Sequence, residues 1–91
     1  LIEEDLPLPP LSPDPNSLQG KILRLLDEDG SMKKYPTQSE LAHRLERSQQ
    51  LVSHHLRTLH KFGLVEKHKS GVRNRYRLTR EAVFLLDTTE L

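Results

Sequence analysis

The apolar residues in the first third of the chain follow the spacing of one helix. Over residues 18–26 they recur every three or four positions, and either Asn16 or Ser17 can cap the N-terminus of such a helix. Gly20 is expected to weaken the first turn by up to about 1 kcal/mol. The acidic stretch DEDGSMKK contains Gly30 and is expected to end the helix in a loop.

Two further helices are predicted close together in the middle of the chain. The tetrapeptide TQSE is a capping box, in which Thr37 and Glu40 each accept a hydrogen bond from the other's backbone. After the short turn ERS, Ser48 can cap a third helix over about residues 49–61. Gly63 follows at the place where a left-handed residue ends a helix. The two helices and their tight connection predict a helix-turn-helix.

The third helix has two unlike faces on a helical wheel. The apolar face consists of Val52, His55, Leu56 and Leu59. The opposite face consists of Gln50, His54, Arg57 and Lys61, with Ser53 and Thr58 at its flanks. A solvated helix face usually mixes Glu with Lys, but no carboxylate lies between Gln49 and Gly63. Gln can pair with adenine, and Arg and Lys reach guanine or phosphate, so this face suits the DNA major groove.

A β-hairpin with a basic surface is predicted after the third helix. The runs LVEKHK and RYRLT have the alternation of strands, and SGVRN between them offers Gly71 and Asn74 for the turn. The hairpin covers residues 65–79, and a last apolar helix is expected from about Arg80 to Asp87. Its basic residues can contact phosphates, and Arg73 can enter a minor groove. A charged edge that only prevents aggregation is the alternative.

Together these elements predict an α+β winged helix-turn-helix domain over residues 17–91. It has a three-helix core, a two-stranded β-wing and a short C-terminal helix. Residues 1–16 contain five of the six prolines, a density that helices and central strands do not tolerate. We therefore expect an extended or disordered Pro-rich arm there.

Charge is segregated along the chain although the net charge is only +1. Residues 43–80 contain ten Lys or Arg and two acidic residues, whereas residues 1–30 contain two basic and seven acidic residues. A basic middle between acidic ends is typical of a nucleic-acid contact confined to one region.

Composition excludes several classes of function. The chain has no Cys, which rules out disulfides, thiolate metal sites and Cys nucleophiles. No apolar run approaches the roughly 20 residues of a membrane span. No Gly-rich phosphate loop is present, and Ser53 beside His54 is no catalytic dyad because adjacent helical residues point about 100° apart. We expect no enzymatic activity and no cofactor.

The segment QSELAHRL…SQQLVSHHLRTLHKFGLVEKHKSGVRNRYRLT resembles the winged helix-turn-helix of ArsR- and MarR-type transcription regulators, and VSHHLRTLHKFGLV is especially like the ArsR group. The resemblance covers about residues 17–87. It implies a double-stranded DNA-binding regulator, more often a repressor, in the cytoplasm and associated with the nucleoid. It also implies a homodimer formed through helix 1 and the C-terminal helix.

The resemblance implies a set of DNA-contacting residues. The recognition helix 49–61 would enter the major groove, the wing 65–79 would touch the backbone or minor groove, and the start of helix 2 would meet phosphate. The candidate contacts are Thr37, Gln38, Gln49, Gln50, Ser53, His54, Arg57, Lys61, Lys69, Arg73 and Arg75.

The chain departs from the metal-sensing members of that family. It has no Cys, and no His follows His68, so the residues of those two sensor sites are missing. His54 and His55 are adjacent and point to different sides, and we predict no metal site. His55 is expected to be a half-buried packing residue. Two other functions stay open: a winged-helix module that docks a partner protein, and the DNA-binding domain of a replication or partition factor.

Overall fold

The structure is a computed structural model that describes residues 9–12 and 14–89, with the backbone alone for the last two. The element order over this part of the chain is α1 Leu18–Ser31, α2 Gln38–Leu45, α3 Gln49–Lys61, β1 Val65–Ser70, β2 Arg73–Leu78 and α4 Arg80–Thr89. This order confirms the predicted winged helix-turn-helix.

The predicted caps start all three helices of the core. The Ser17 hydroxyl accepts from Gly20 N at 3.1 Å, and the Ser48 hydroxyl accepts from Leu51 N at 3.1 Å. Both halves of the capping box between Thr37 and Glu40 are formed. These bonds satisfy backbone donors that the first turn of a helix leaves unpaired, so they fix where each helix begins.

Helix α1 is longer than predicted, because the stretch DEDGS belongs to it. Asp29, expected in a loop, is only 6% exposed, and its carboxylate forms an ion pair with Arg44 of α2. Its carbonyl oxygen accepts from Met32 N and from Lys34 N. The acidic residues therefore continue the amphipathic pattern of α1, with one of them directed at a partner on α2.

A sharp turn separates α2 from α3. Glu46 has a left-handed backbone with φ of 55°, and the backbone N–H groups of Glu46 and Arg47 donate to carbonyls of α2. Only three residues therefore join the two helices, as the turn ERS predicted.

The core lies between the three helices, the base of the wing and α4. Its buried apolar residues are Ile22, Leu23, Leu26, Leu41, Ala42, Val52, Leu56, Leu59, Leu64, Val65, Tyr76, Ala82 and Leu86. Most are aliphatic, and burying each contributes roughly 1.5–3 kcal/mol relative to exposure. The described helices include none with the length and apolar character that a bilayer crossing requires.

The wing is an antiparallel hairpin with a two-residue turn. Its register pairs Val65 with Leu78 at the base and Ser70 with Arg73 at the tip. Gly71, with φ of +66°, makes the turn together with Val72. The prediction that Asn74 takes part in the turn was wrong, because Asn74 lies in β2.

The segment that leads into α2 runs along β2. Tyr76 N donates to the Pro36 carbonyl oxygen at 3.0 Å, and Thr37 forms an isolated antiparallel bridge with Arg75. Pro36 and Thr37 thus add a short third edge to the sheet.

Part of the Pro-rich segment packs on the domain. Most of the predicted arm, residues 1–8 and 13, lies outside the described residues. Residues 9–12 lie against α1 and α3, where Leu11 contacts the core. Gln19, only 1% exposed, accepts from Ser12 N at 2.8 Å and donates to the Pro10 carbonyl oxygen at 2.8 Å.

Thr58 ties the same segment to α3. The wheel placed Thr58 beside the polar face, but it is only 1% exposed, and its hydroxyl donates to the Pro9 carbonyl oxygen at 2.8 Å. Thr58 is therefore not part of the polar face, because the segment that contains Pro9 covers the side of α3 on which Thr58 lies.

Gly20 is required by this packing. A Cβ built at Gly20 would lie 2.1 Å from the Asp14 carbonyl oxygen, so any side chain would push the segment away. Gly30 in the same helix has no neighbour within 4 Å of such a Cβ. Gly20 therefore allows a close approach of the chain to α1, whereas the packing does not require a glycine at position 30.

We therefore expect opposite effects from Gly20→Ala and Gly30→Ala. Gly20→Ala should destabilise the protein by about 1–3 kcal/mol, because the clash is with backbone. Gly30→Ala, its matched control, should stabilise it by about 0.5–1 kcal/mol through helix propensity. Urea unfolding of the two variants measures both changes, and stabilisation by both would contradict the close packing of residue 14 on α1.

Candidate nucleic-acid interface

Helix α3 turns its apolar face inward and its polar face outward. Val52, Leu56 and Leu59 are at most 2% exposed. On the other side Gln49, Gln50 and Lys61 are exposed, and Ser53, His54 and Arg57 are half-buried. The structure thus presents Gln49, Gln50 and Lys61 to solvent, whereas Ser53 and Arg57 are partly accessible and the Nε2 atom of His54 is buried.

His55 is half-buried, as predicted, and joins α3 to α1. Its Nδ1 lies 3.0 Å from Gln19 Nε2. Gln19 also donates to the Pro10 carbonyl and accepts from Ser12 N, so Nδ1 of a neutral His55 is the acceptor in this network. Burial, and then the charge of His54, lower the pKa of His55 below its ordinary value.

The N-terminus of α2 meets the first turn of α3. Gln38 Nε2 donates to the Gln49 carbonyl oxygen at 3.0 Å. Thr37 is only 4% exposed, and its hydroxyl oxygen accepts from Glu40 N at 3.2 Å. Thr37 therefore forms the cap with a buried side chain, whereas Gln38 is half-exposed beside α3.

The wing has two faces with different neighbours. Residues that face each other in the register share one side of the sheet, so Lys67, Lys69 and Asn74 lie on the same side as the buried Tyr76. A cleft between this side and α3 is lined by Gln38, Ser53, Arg57, Lys61, Lys67 and Asn74. Side chains of α2, α3 and the wing meet there.

Asn74 and Lys67 were absent from the list of individual candidate contacts, although Lys67 is one of the basic wing residues expected to be able to meet phosphates. Strand alternation could have placed both residues. Lys67 is the register partner of Tyr76, and Asn74 precedes Tyr76 by two residues on the same strand, so both share the face of Tyr76. Assigning Asn74 to the turn concealed this, since a turn residue has no fixed side.

The arginines of β2 lie on the opposite side of the wing and differ in their partners. Arg75 Nη1 donates to the Tyr35 carbonyl oxygen at 2.8 Å and lies 3.6 Å from Glu40 Oε1. Arg77 Nε donates to Glu66 Oε2 at 2.9 Å. Arg73 and Lys69 are exposed near the tip. The structure thus brings Arg75 into contact with the helices and leaves Arg73 outward.

Glu40 is an acidic residue near this surface whose pKa is shifted by its neighbours. Hydrogen bonds from the Thr37 backbone and side chain lower the pKa of Glu40, and the charges of Arg75 and Arg73 lower it further. Glu40 is therefore ionised near neutral pH, and two arginines offset its charge.

Burial has the opposite effect on the pKa of Tyr76. It raises the pKa of the phenol above its ordinary value, although the charge of Arg57 lowers it. Tyr76 is consequently neutral at physiological pH and serves as a packed wall of the cleft. Among the residues that the structure describes, no group of three or more His, Asp or Glu is arranged to hold a metal ion.

The sequence match decides the family. The family described as "Bacterial regulatory protein, arsR family" matches residues 16–67, more than half of the 91-residue chain. The chain belongs to the ArsR family. The matched region runs from the cap of α1 into β1, so it contains the whole helix-turn-helix.

Solved structures of regulators share the fold of this ArsR-family chain. Reduced HlyU from Vibrio cholerae is 31% identical, with a TM-score of 0.66, and the match covers 80% of this chain and 73% of HlyU. The adhesin competence repressor AdcR from Streptococcus pyogenes is 25% identical, with a TM-score of 0.69, over 80% of this chain and 52% of AdcR.

ZitR from Lactococcus lactis, in the apo form of a double mutant, is also similar. It is 25% identical, with a TM-score of 0.70, over 80% of this chain and 54% of ZitR. The chain thus spans about half the length of AdcR and ZitR. A search of curated proteins found no match. Family and fold support a DNA-binding transcription regulator, a class whose members are generally not enzymes.

The half-buried His55 predicts how stability depends on pH in this ArsR-family domain. Because the folded-state pKa of His55 is below the ordinary value of 6.5, the unfolded chain binds the proton more readily. Its contribution is therefore fully present above about pH 6.5 and is lost as pH falls through the lower, folded-state pKa.

We expect His55→Gln to reduce this loss of stability, since a glutamine accepts from Gln19 without titrating. The measurement is urea unfolding at a series of pH values from 7.5 to 5. His43→Gln, on the exposed side of α2, is the control and should retain the acid sensitivity of the parent. An identical pH profile for the parent and His55→Gln would show that the proton goes elsewhere.

Proposed function

We propose that the chain is the DNA-binding part of a homodimeric transcriptional repressor, with α3 in the major groove. The observation that carries the proposal is the outward face of α3, where amide, hydroxyl, imidazole and basic groups stand without a carboxylate from Gln49 to Lys61. Such a face combines attraction to phosphate with hydrogen-bonding groups for base edges.

The dimensions of α3 fit this role. Its 13 residues give a length of about 20 Å, and a major groove about 12 Å wide admits one helix. Gln49 and Gln50 occupy its first turn, the end that enters deepest in helix-turn-helix proteins. We propose that they read adenine, that Ser53 and His54 contact neighbouring bases, and that Arg57 and Lys61 reach guanine or phosphate.

The wing and α2 supply contacts on either side. Lys69 and Arg73 are exposed near the wing tip and are proposed to bind the backbone or the adjacent minor groove. At the start of α2, backbone N–H groups and the side chain of Gln38 are proposed to meet a phosphate, since helix N-termini favour anions. The buried Thr37 side chain acts here only through its cap.

Dimerisation is proposed through α1 and α4. Phe84 is 70% exposed and Val83 is 38% exposed on α4, and Val83 lines a cleft with Leu26 and Gly30 of α1. A domain of this size buries only about 60% of its unfolded surface and gains stability from a partner. Two copies would place their α3 helices in successive major grooves, about 34–36 Å apart.

Repression would follow from occupying a site that polymerase needs. One structural relative, AdcR, is named as a repressor. A repressor of this kind would act in the cytoplasm, bound to the nucleoid.

The test is the salt dependence of binding to duplex DNA. Each phosphate contact should contribute a slope of about −0.9 in the logarithm of the binding constant against the logarithm of salt concentration. We expect Arg57→Ala to weaken binding by about 10-fold, and either to make the slope shallower by about one contact or to relax one base preference. Fluorescence anisotropy with labelled duplexes from 50 to 300 mM salt measures both.

The matched control is Lys21→Ala, which removes the same charge from the exposed surface of α1. Because α1 is also part of the proposed dimer surface, sedimentation first establishes that this variant dimerises as the parent does. It should change neither the affinity nor the slope appreciably. A slope near zero for the parent protein, or equal losses for the two variants, would contradict DNA binding through α3.

A further inference from the structure

Arg75 joins β2 to the segment that leads into α2. Its Nη1 donates to the Tyr35 carbonyl oxygen at 2.8 Å and lies 3.6 Å from Glu40 Oε1. The backbone bridge between Thr37 and Arg75 holds the same two segments together. One residue of the wing is thus attached to the loop before α2, to its cap and to its first turn.

Tyr35 receives a second contact from the other strand. Its ring lies 5.8 Å from the ring of His68 in an edge-to-face arrangement. His68 is the register partner of Arg75, so both strands touch Tyr35 at the same rung of the hairpin. Tyr35 therefore contacts both strands of the wing at this register pair.

The outer part of the wing lies beyond this rung. It consists of the pairs Lys69–Asn74 and Ser70–Arg73 and the turn of Gly71 and Val72, and all six residues are exposed. A twisted two-stranded ribbon is weakly held by itself. The direction of this outer part is consequently set where Arg75 and His68 contact Tyr35.

The geometry of Arg75 suits a fixed attachment better than a phosphate contact. A guanidinium is planar and rigid, and its Nη1 is already engaged by a carbonyl oxygen of the domain and lies near a carboxylate. Its side chain is 39% exposed and that of Glu40 is 55% exposed, so the ion pair contributes little to stability. The main effect of the pair is to orient the side chain of Arg75.

We infer that Arg75 is a positioning residue for DNA binding, which holds the outer wing, and with it Arg73, at the angle that meets DNA. This inference rests on the proposed function. Arg73 is the residue that reaches the nucleic acid, and Arg75 acts through it.

A double-mutant cycle of Arg73→Ala and Arg75→Gln tests the inference on one duplex at one salt concentration. Arg73→Ala should weaken binding by about fivefold in the parent and by less than about twofold in the Arg75→Gln background. Two independent phosphate contacts would instead give equal losses in both backgrounds. Equal losses, or no loss from Arg73→Ala in the parent, would overturn the inference.

Arg77→Gln is the matched control, because Arg77 lies on the same strand and the same side but pairs with Glu66 within the wing. In its background Arg73→Ala should still cost about fivefold. Thermal melting of each variant shows that it is folded before its affinity is used.

A second measurement needs no DNA. The ¹⁵N order parameters of the Gly71 and Val72 amides should fall below about 0.6 in Arg75→Gln and stay as in the parent in Arg77→Gln. Unchanged values in Arg75→Gln would overturn the inference whatever the cycle gave. If the parent did not bind DNA, the proposed function would fail, and these amides would still show whether Arg75 holds the wing.

Discussion

The packing of Val52, Leu56 and Leu59 against the core fixes the rotation of α3, and the rest of the candidate interface depends on that rotation. These residues are at most 2% exposed and lie in one cluster with Ile22 and Leu41 of the other two helices. A turn of α3 by one residue, about 100°, would expose aliphatic side chains whose burial contributes roughly 1.5–3 kcal/mol each. The amides and basic groups of the opposite face are therefore held toward solvent by hydrophobic burial.

Polar contacts refine what the core begins. Gln19 bonds to two backbone groups of the segment before α1 and to the ring of His55, which joins that segment to the side of α3 away from the candidate interface. On the other side of the domain, Arg75 joins the wing to the start of α2. Both side chains act on carbonyl groups of irregular segments. The helix-turn-helix is thus held in place by contacts from two neighbouring segments.

The periodicity of the sequence was enough to predict the fold and the outward face of α3, because helix phase and strand alternation are local properties. The caps at Ser17, Thr37 and Ser48 marked the helix starts for the same reason. The predicted end of α1 was wrong because the carboxylate of Asp29 forms an ion pair with Arg44, which is distant in sequence.

Features that depended on tertiary neighbours could not be predicted. The burial of Thr58 follows from a strip of chain lying on α3, and the internal partners of Arg75 follow from how the wing docks. Composition marked both Arg73 and Arg75 as basic wing residues and could not distinguish a side chain that points outward from one that holds the wing. The sequence likewise indicated only that Gly20 weakens the helix. The structure shows that Gly20 allows the backbone of Asp14 to approach α1 closely.

The most direct test of the account is a titration of the ¹⁵N-labelled protein with duplex DNA, followed by amide and side-chain chemical shifts. We expect the largest changes on Gln49, Gln50, Ser53 and Arg57, with changes at the wing tip and little change along α4. Shifts concentrated on Val83 and Phe84, with the outward face of α3 unaffected, would contradict it.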